Sequence, residues 1–196
     1  MINCNYIGIT KGKVFKEKKT EISMKKALLV YGNPNRGEDK CKFDEFINTN
    51  LRLISQIAKV SGYTSKIIPI SSLDIKFEDY QESEDFLFDY VGHSEGVFLG
   101  NFHLKKIVYS IEKLKGKKII LLDACTDNFI KRHNPPKNTL IAGCFNVSYY
   151  SPLSTSFYDA IIARGKKLDS ITQETFNEMK HNWVQVKGSL NNQNVR

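Results

Sequence analysis

The chain has 196 residues, 41% hydrophobic and 26% charged, ordinary figures for one globular domain with a real core. No apolar run approaches the ~20 residues that span a bilayer, and the opening MINCNYIGITKGK lacks the apolar centre of a secretory signal. The expectation is a cytoplasmic protein with no membrane partner.

The net charge of +8 is spread unevenly. Residues 1–30 hold seven lysines against two glutamates, whereas residues 74–89 hold seven acids against one lysine. A basic arm could meet nucleic acid or an acidic partner. Interleaved aromatics are few, so a solvated, lysine-rich hairpin is the preferred reading and nucleic-acid contact the lesser one. The cysteines, Cys4, Cys41, Cys125 and Cys144, form no CxxC pair. Structural zinc ligands usually come in close pairs, so neither a metal nor another cofactor is expected. In a reducing compartment all four should be free thiols, and three of them inert packing groups.

Residues 5–20 alternate apolar and polar around Lys11-Gly12-Lys13, which predicts an edge hairpin, and residues 1–24 read as a basic extension. Ala27 to Tyr31 is a buried first strand. The loop Gly32 to Asp39 follows it. Phe43, Phe46, Ile47, Leu51, Leu53, Ile54 and Ile57 then approximate helical spacing, with a stop near Gly62. Lys66 to Ile70 is a short strand whose Pro69 predicts an edge position, and residues 71–85 are turn-rich.

The next stretch organises the rest. Phe86 to Val91 ends in Gly92-His93, and Ile119 to Leu122 ends in Asp123-Ala124-Cys125. Between them, apolar residues at 104, 107, 108, 111 and 114 paint one face of a helix. Strand, helix, strand is a βαβ unit with parallel strands. As neighbours they lie roughly 4.8 Å apart and finish at the same carboxyl edge, where open α/β sheets gather ligands and reactive groups. One delivers an imidazole there and the other a thiol.

The segment 131–138 (KRHNPPKN) reads as a loop, Thr139 to Gly143 as another buried strand, and 144–153 as a loop rich in aromatics and hydroxyls. Helices are expected from Ser154 to Ala163 and from Asp169 to about Lys180. A last strand is expected over Trp183 to Lys187, and a frayed polar tail over 188–196. Residues 25–187 thus form one α/β domain, with no repeat and no second core.

A thiol is a useful nucleophile as thiolate, and a neighbouring imidazolium favours that form. Such a pair can attack a peptide carbonyl, and the imidazole can then protonate the leaving amine. The developing oxyanion needs donors, for which the backbone N–H groups of Ser94 and Cys125 are the candidates. No third side chain identifies itself from spacing as the orienter of His93.

Tyr90-Val91-Gly92-His93-Ser94-Glu95 resembles an apolar strand closed by a Gly-His pair. Leu121-Leu122-Asp123-Ala124-Cys125 resembles a strand closed by an acidic or amide residue, a small residue and a catalytic Cys. Together they resemble the caspase-like cysteine peptidases: caspases, metacaspases and bacterial separase-like CHAT proteases. The similarity runs from about Ala27 to Met179 and takes in the TLIAGC strand and the helix start at Ser154 to Ala160.

The resemblance implies a three-layer α/β/α sandwich with a mainly parallel central sheet. It implies His93 as general base and acid, Cys125 as nucleophile, and the same oxyanion donors. It also implies Asp123 in the first substrate pocket, where a carboxylate favours Arg or Lys at P1. Arg36 competes for Asp123 or lines the pocket itself, and Ser148 and Tyr149 fall where relatives build a pocket wall. Ser94 stands where relatives usually have Gly, and Thr126-Asp127-Asn128 replaces their usual continuation of the Cys motif. The implied partners are a protein substrate and a regulatory protein acting in trans. The alternatives are a catalytically silent caspase-like adaptor, or a nucleotide- or nucleic-acid-binding α/β module. The Gly32–Gly37 loop supports a nucleotide site only weakly, because it lacks the GxGxxG and GK[ST] patterns.

Overall fold

The computed structural model describes residues 25–35, 37–144, 168 and 184–190. The expected basic hairpin, the two helices after Ser154, the 145–153 loop and Arg36 lie outside these residues.

The first apolar run forms β1 (Lys25–Tyr31), and the spaced apolar residues after it form α1 (Lys40–Val60). Asp39 starts this helix, its side chain accepting from the N–H groups of Cys41 at 3.0 Å and Lys42 at 3.3 Å. Gly62 ends it at φ +82°, a left-handed turn that glycine takes without strain. Asp39→Ala should lower the unfolding free energy by about 1 kcal/mol, read as a lower urea midpoint at unchanged slope.

The chain continues through β2 (Tyr63–Pro69), two single-turn 3₁₀ segments, and β3 (Asp85–Val91). A two-stranded ribbon follows, β4 (Phe98–Leu99) and β5 (Phe102–His103), and leads into α2 (Leu104–Glu112). Then come β6 (Lys117–Cys125), α3 (Asp127–Arg132), β7 (Thr139–Cys144) and β8 (Val184–Ser189).

The six-stranded sheet has the order β2-β1-β3-β6-β7-β8. Every pairing is parallel except β7 with β8. As Pro69 predicts, β2 is an edge strand. Alternate residues feed the two faces. Leu29, Leu87, Val91 and Leu121 pack with Phe43, Ile54 and Ile57 of α1. Val30, Phe88, Tyr90 and Leu122 pack with Leu104, Ile107 and Ile111 of α2. The result is the three-layer α/β/α arrangement that the sequence predicts. Among the described residues, no helix is long and apolar enough to cross a membrane.

Two expectations need correction. The segment 131–138 is not wholly a loop, because α3 takes in Lys131 and Arg132. β8 also runs on through Gly188 and Ser189, where the sequence predicts fraying. A Cβ at Gly188 would lie 2.1 Å from the Thr139 carbonyl oxygen, so glycine is what lets this strand approach β7.

The winding reverses between β1 and β3, since β2 lies on one side of β1 and β3 on the other. Such a switch point leaves a crevice at the carboxyl ends of the strands. There the β1–α1 loop faces Gly92-His93.

Candidate active site

The approach of the backbones comes first. Gly32 donates its N–H to the Val91 carbonyl at 2.9 Å, and Gly92 donates to the Asp123 carbonyl at 3.1 Å. These bonds carry the ladder past the ends of β1 and β3. A Cβ at Gly92 would stand 3.0 Å from the backbone of Gly32, and one at Gly32 would stand 2.4 Å from the Tyr90 hydroxyl. Both positions need glycine because two chain ends and a phenol share one space. The phenol then donates to the His93 carbonyl at 2.7 Å, fixing the backbone under the imidazole. Burial pushes the Tyr90 phenol well above its ordinary value, so it remains a donor at any working pH.

His93 is half-buried and held on two sides. Its ring stacks on Phe43 of α1 with centroids 5.3 Å apart and planes 20° from parallel. Its Nε2 lies 2.8 Å from Glu38 Oε2, in the β1–α1 loop. The imidazole's hydrogen bond is therefore to Glu38 rather than to the Cys125 thiol. Spacing did not reveal this carboxylate. The only signal was an acid in the loop that follows the first buried strand. A cavity of about 610 Å³ opens beside the same loop and shares Phe43 with the imidazole stack.

Cys125 closes β6. Val91 pairs with Asp123 in the sheet, so His93 and Cys125 each stand two residues beyond one rung of the β3–β6 ladder. The register between β6 and β7 shifts between Leu122 and Cys125, which re-aims the strand end. After a run of buried residues, Cys125 is exposed. Ser94 Oγ donates to the Cys125 carbonyl at 2.9 Å, tying the two strand ends together. The hydroxyl that replaces the expected glycine hydrogen is thus a crosslink between the His and Cys segments.

The segment behind Cys125 is anchored. Thr126 is buried, and its hydroxyl donates to the Ala124 carbonyl at 3.3 Å. A Cβ at Gly143 would lie 2.5 Å from Thr126 Oγ1 and 2.3 Å from Ile130 Cδ1, so the glycine of TLIAGC makes room for α3 against β7. His133 at the end of α3 lies 2.5 Å from Glu112 at the end of α2.

Two carboxylates underlie this edge. Asp123 and Asp89 are both fully buried, at β6 and β3 positions that alternation puts on the α1 face. Among the described residues, neither oxygen of Asp89 has a hydrogen-bond partner. Burial first, and the charge of Asp123 second, push the Asp89 carboxyl well above the usual carboxylate range.

No family model matches the chain, and no curated protein matches its sequence. Among solved structures, the crystal structure of caspase-1 from Spodoptera frugiperda aligns with a TM-score of 0.56. That alignment covers 85% of this chain and 86% of the other, at 14% identity. The fold is caspase-like. Such an identity speaks for the fold alone, so residue roles on this caspase-like scaffold must come from the chain's own geometry.

That geometry brings His93, Ser94, Cys125 and Asp123 to one edge of the sheet. Arg36, Ser148 and Tyr149 lie outside the described residues. The cysteine expectation needs amending, because Cys41, in the first turn of α1, is exposed rather than packed. Among the described residues, no cluster of three His, Cys, Asp or Glu side chains could hold a metal ion.

Proposed function

We propose that the chain is a cysteine endopeptidase. The observation that carries this reading is the pairing of strand ends: an exposed thiol and a half-buried imidazole, each two residues past the Val91–Asp123 rung, with Ser94 bonded to the Cys125 carbonyl.

In this mechanism His93 takes the Cys125 proton, and the thiolate attacks the scissile carbonyl carbon. The electron pair of the C=O bond moves to oxygen, which meets the Ser94 and Cys125 backbone N–H groups. Collapse breaks the C–N bond, and the imidazolium protonates the departing amine. A water, deprotonated by the same imidazole, then attacks the thioester, and the carboxylic product leaves as the thiol is regenerated.

Asp123 supports a basic P1 residue. It lies buried two residues before the nucleophile, and Asp89 adds a second carboxyl on the same face. A P1 guanidinium or ammonium would be drawn to a carboxylate at the base of its pocket by a charge-assisted hydrogen bond. The substrate is a protein, and a second protein acting in trans is the proposed trigger.

A panel of fluorogenic peptides with Arg, Lys, Asp and Leu at P1 tests the reading. The Arg and Lys peptides are expected to be cleaved fastest, and Asp123→Asn should erase that advantage. Faster cleavage after Asp or Leu would overturn the basic-P1 assignment. Silence on every peptide, with Cys125 no more reactive than Cys41, would leave the non-catalytic adaptor in its place.

A further inference from the structure

We propose that Glu38 is the positioning residue of this site, holding His93 in the tautomer that leaves Nδ1 free to take the thiol proton. This inference rests on the peptidase reading and adds a third side chain to it.

One oxygen decides the tautomer. Glu38 Oε2 lies 2.8 Å from His93 Nε2 and also accepts the Asn35 N–H at 2.9 Å. A carboxylate only accepts, so both nitrogens donate to it. Nε2 therefore carries its hydrogen, and Nδ1 keeps the lone pair. The Phe43 stack fixes the plane of the ring, and the Glu38 contact fixes its rotation within that plane. The carboxylate is itself held. The Glu38 backbone N–H donates to the Asn35 carbonyl at 3.1 Å, so the loop closes on itself around the acid. The Glu38 side chain is 12% exposed and meets the imidazole through this hydrogen bond. Salt and water screen such a partly buried charge far less than a surface one.

The proton balance is simple. The Cys125 proton moves to Nδ1, giving thiolate and an imidazolium protonated at both nitrogens. Glu38 faces the Nε2–H throughout and offsets the new positive charge. The Nδ1 proton later goes to the leaving nitrogen, and the ring returns to its starting tautomer. Glu38 touches neither substrate nor sulfur and acts only through His93.

The test needs no substrate. Iodoacetamide alkylation of Cys125 is followed at neutral pH by mass spectrometry of its own peptide, so that Cys41 does not interfere. Wild type, His93→Ala, Glu38→Ala and Glu38→Gln are compared, with ¹⁵N spectra of the His93 ring alongside. His93→Ala should alkylate slowly, and Glu38→Ala nearly as slowly, with a mixed ring tautomer. Glu38→Gln keeps an oxygen for Asn35 and His93 but loses the charge. It should retain the Nε2–H tautomer and the wild-type melting temperature, yet alkylate about tenfold more slowly.

Wild-type alkylation in both Glu38 variants, with slow His93→Ala, would overturn the role of Glu38 and leave the Cys–His pair standing. A wild-type ring with bare Nε2 would overturn the tautomer assignment. Fast alkylation in His93→Ala would overturn the peptidase reading, and the role of Glu38 with it.

Discussion

Cys125→Ala should abolish cleavage of whichever peptide the wild type turns over, a loss on the order of 10⁴-fold or more. Among the described residues, no neighbouring group can stand in for the sulfur. The Ser94 hydroxyl is committed to the Cys125 carbonyl, and the Thr126 hydroxyl is buried on the Ala124 carbonyl. Cys41, the other exposed thiol among the described residues, sits at the start of α1. His93→Ala should fall nearly as far, because nucleophile and base act as a unit and their losses do not add. Stability separates chemistry from folding. Cys125 is exposed, so its removal should shift the unfolding free energy by no more than about 0.5 kcal/mol. Thiol labelling in Cys125→Ala should survive only at Cys41 or another cysteine outside the site. Turnover that persists in this variant would sink the assignment of the nucleophile.

The fold was legible where periodicity and burial agree. Phe86 to Val91 and Ile119 to Leu122 are continuous apolar runs because β3 and β6 lie inside the sheet, and the spacing from 104 to 111 is the buried face of α2. Weaker signals went unread for identifiable reasons. The β4–β5 ribbon has two residues per strand, too few for any period to show. α3 has six residues and ends at Arg132, just before the Asn-Pro-Pro run whose loop signal dominates its neighbourhood. At Gly188 the polar composition of the segment that follows pointed to a frayed tail and hid a packing requirement, since close backbone approach leaves no apolar signal in the sequence.

The site divides in the same way. His93 and Cys125 were legible because a βαβ unit places two strand ends side by side whatever their separation along the chain. Glu38 was not, because it comes from another loop, 55 residues before His93, and only tertiary structure brings it there. The stacking of His93 on Phe43 was hidden for the same reason, although Phe43 was already visible as a core residue of α1. Asp89 was in plain view within DFLFDYV. In the sequence it counts only as one of seven acids between residues 74 and 89, whereas alternation within a buried strand puts it inside.

Asp89→Asn should therefore stabilise the protein, increasingly so as the pH rises. The wild-type carboxyl is fully buried, with neither oxygen hydrogen-bonded among the described residues, beside the charge of Asp123. Folding raises its pKa above the unfolded value of about 3.9. Below that value both states hold the proton, and the group's ionisation has no effect on stability. Above it the unfolded chain releases the proton while the folded chain keeps it. Stability then falls with rising pH, by up to about 1.4 kcal/mol per unit, until the raised folded value is reached. Asparagine cannot ionise, so it removes this slope while leaving a buried polar group in place. Urea unfolding of both proteins at about pH 5 and about pH 8 measures the difference. The advantage of the variant should be small at the lower pH and larger at the higher one. Asp89→Leu, which also removes the unpaired polar atoms, should show the same pH trend. A difference that stays flat would mean that the folded carboxyl titrates normally, and so that it finds a compensating partner at this edge of the sheet.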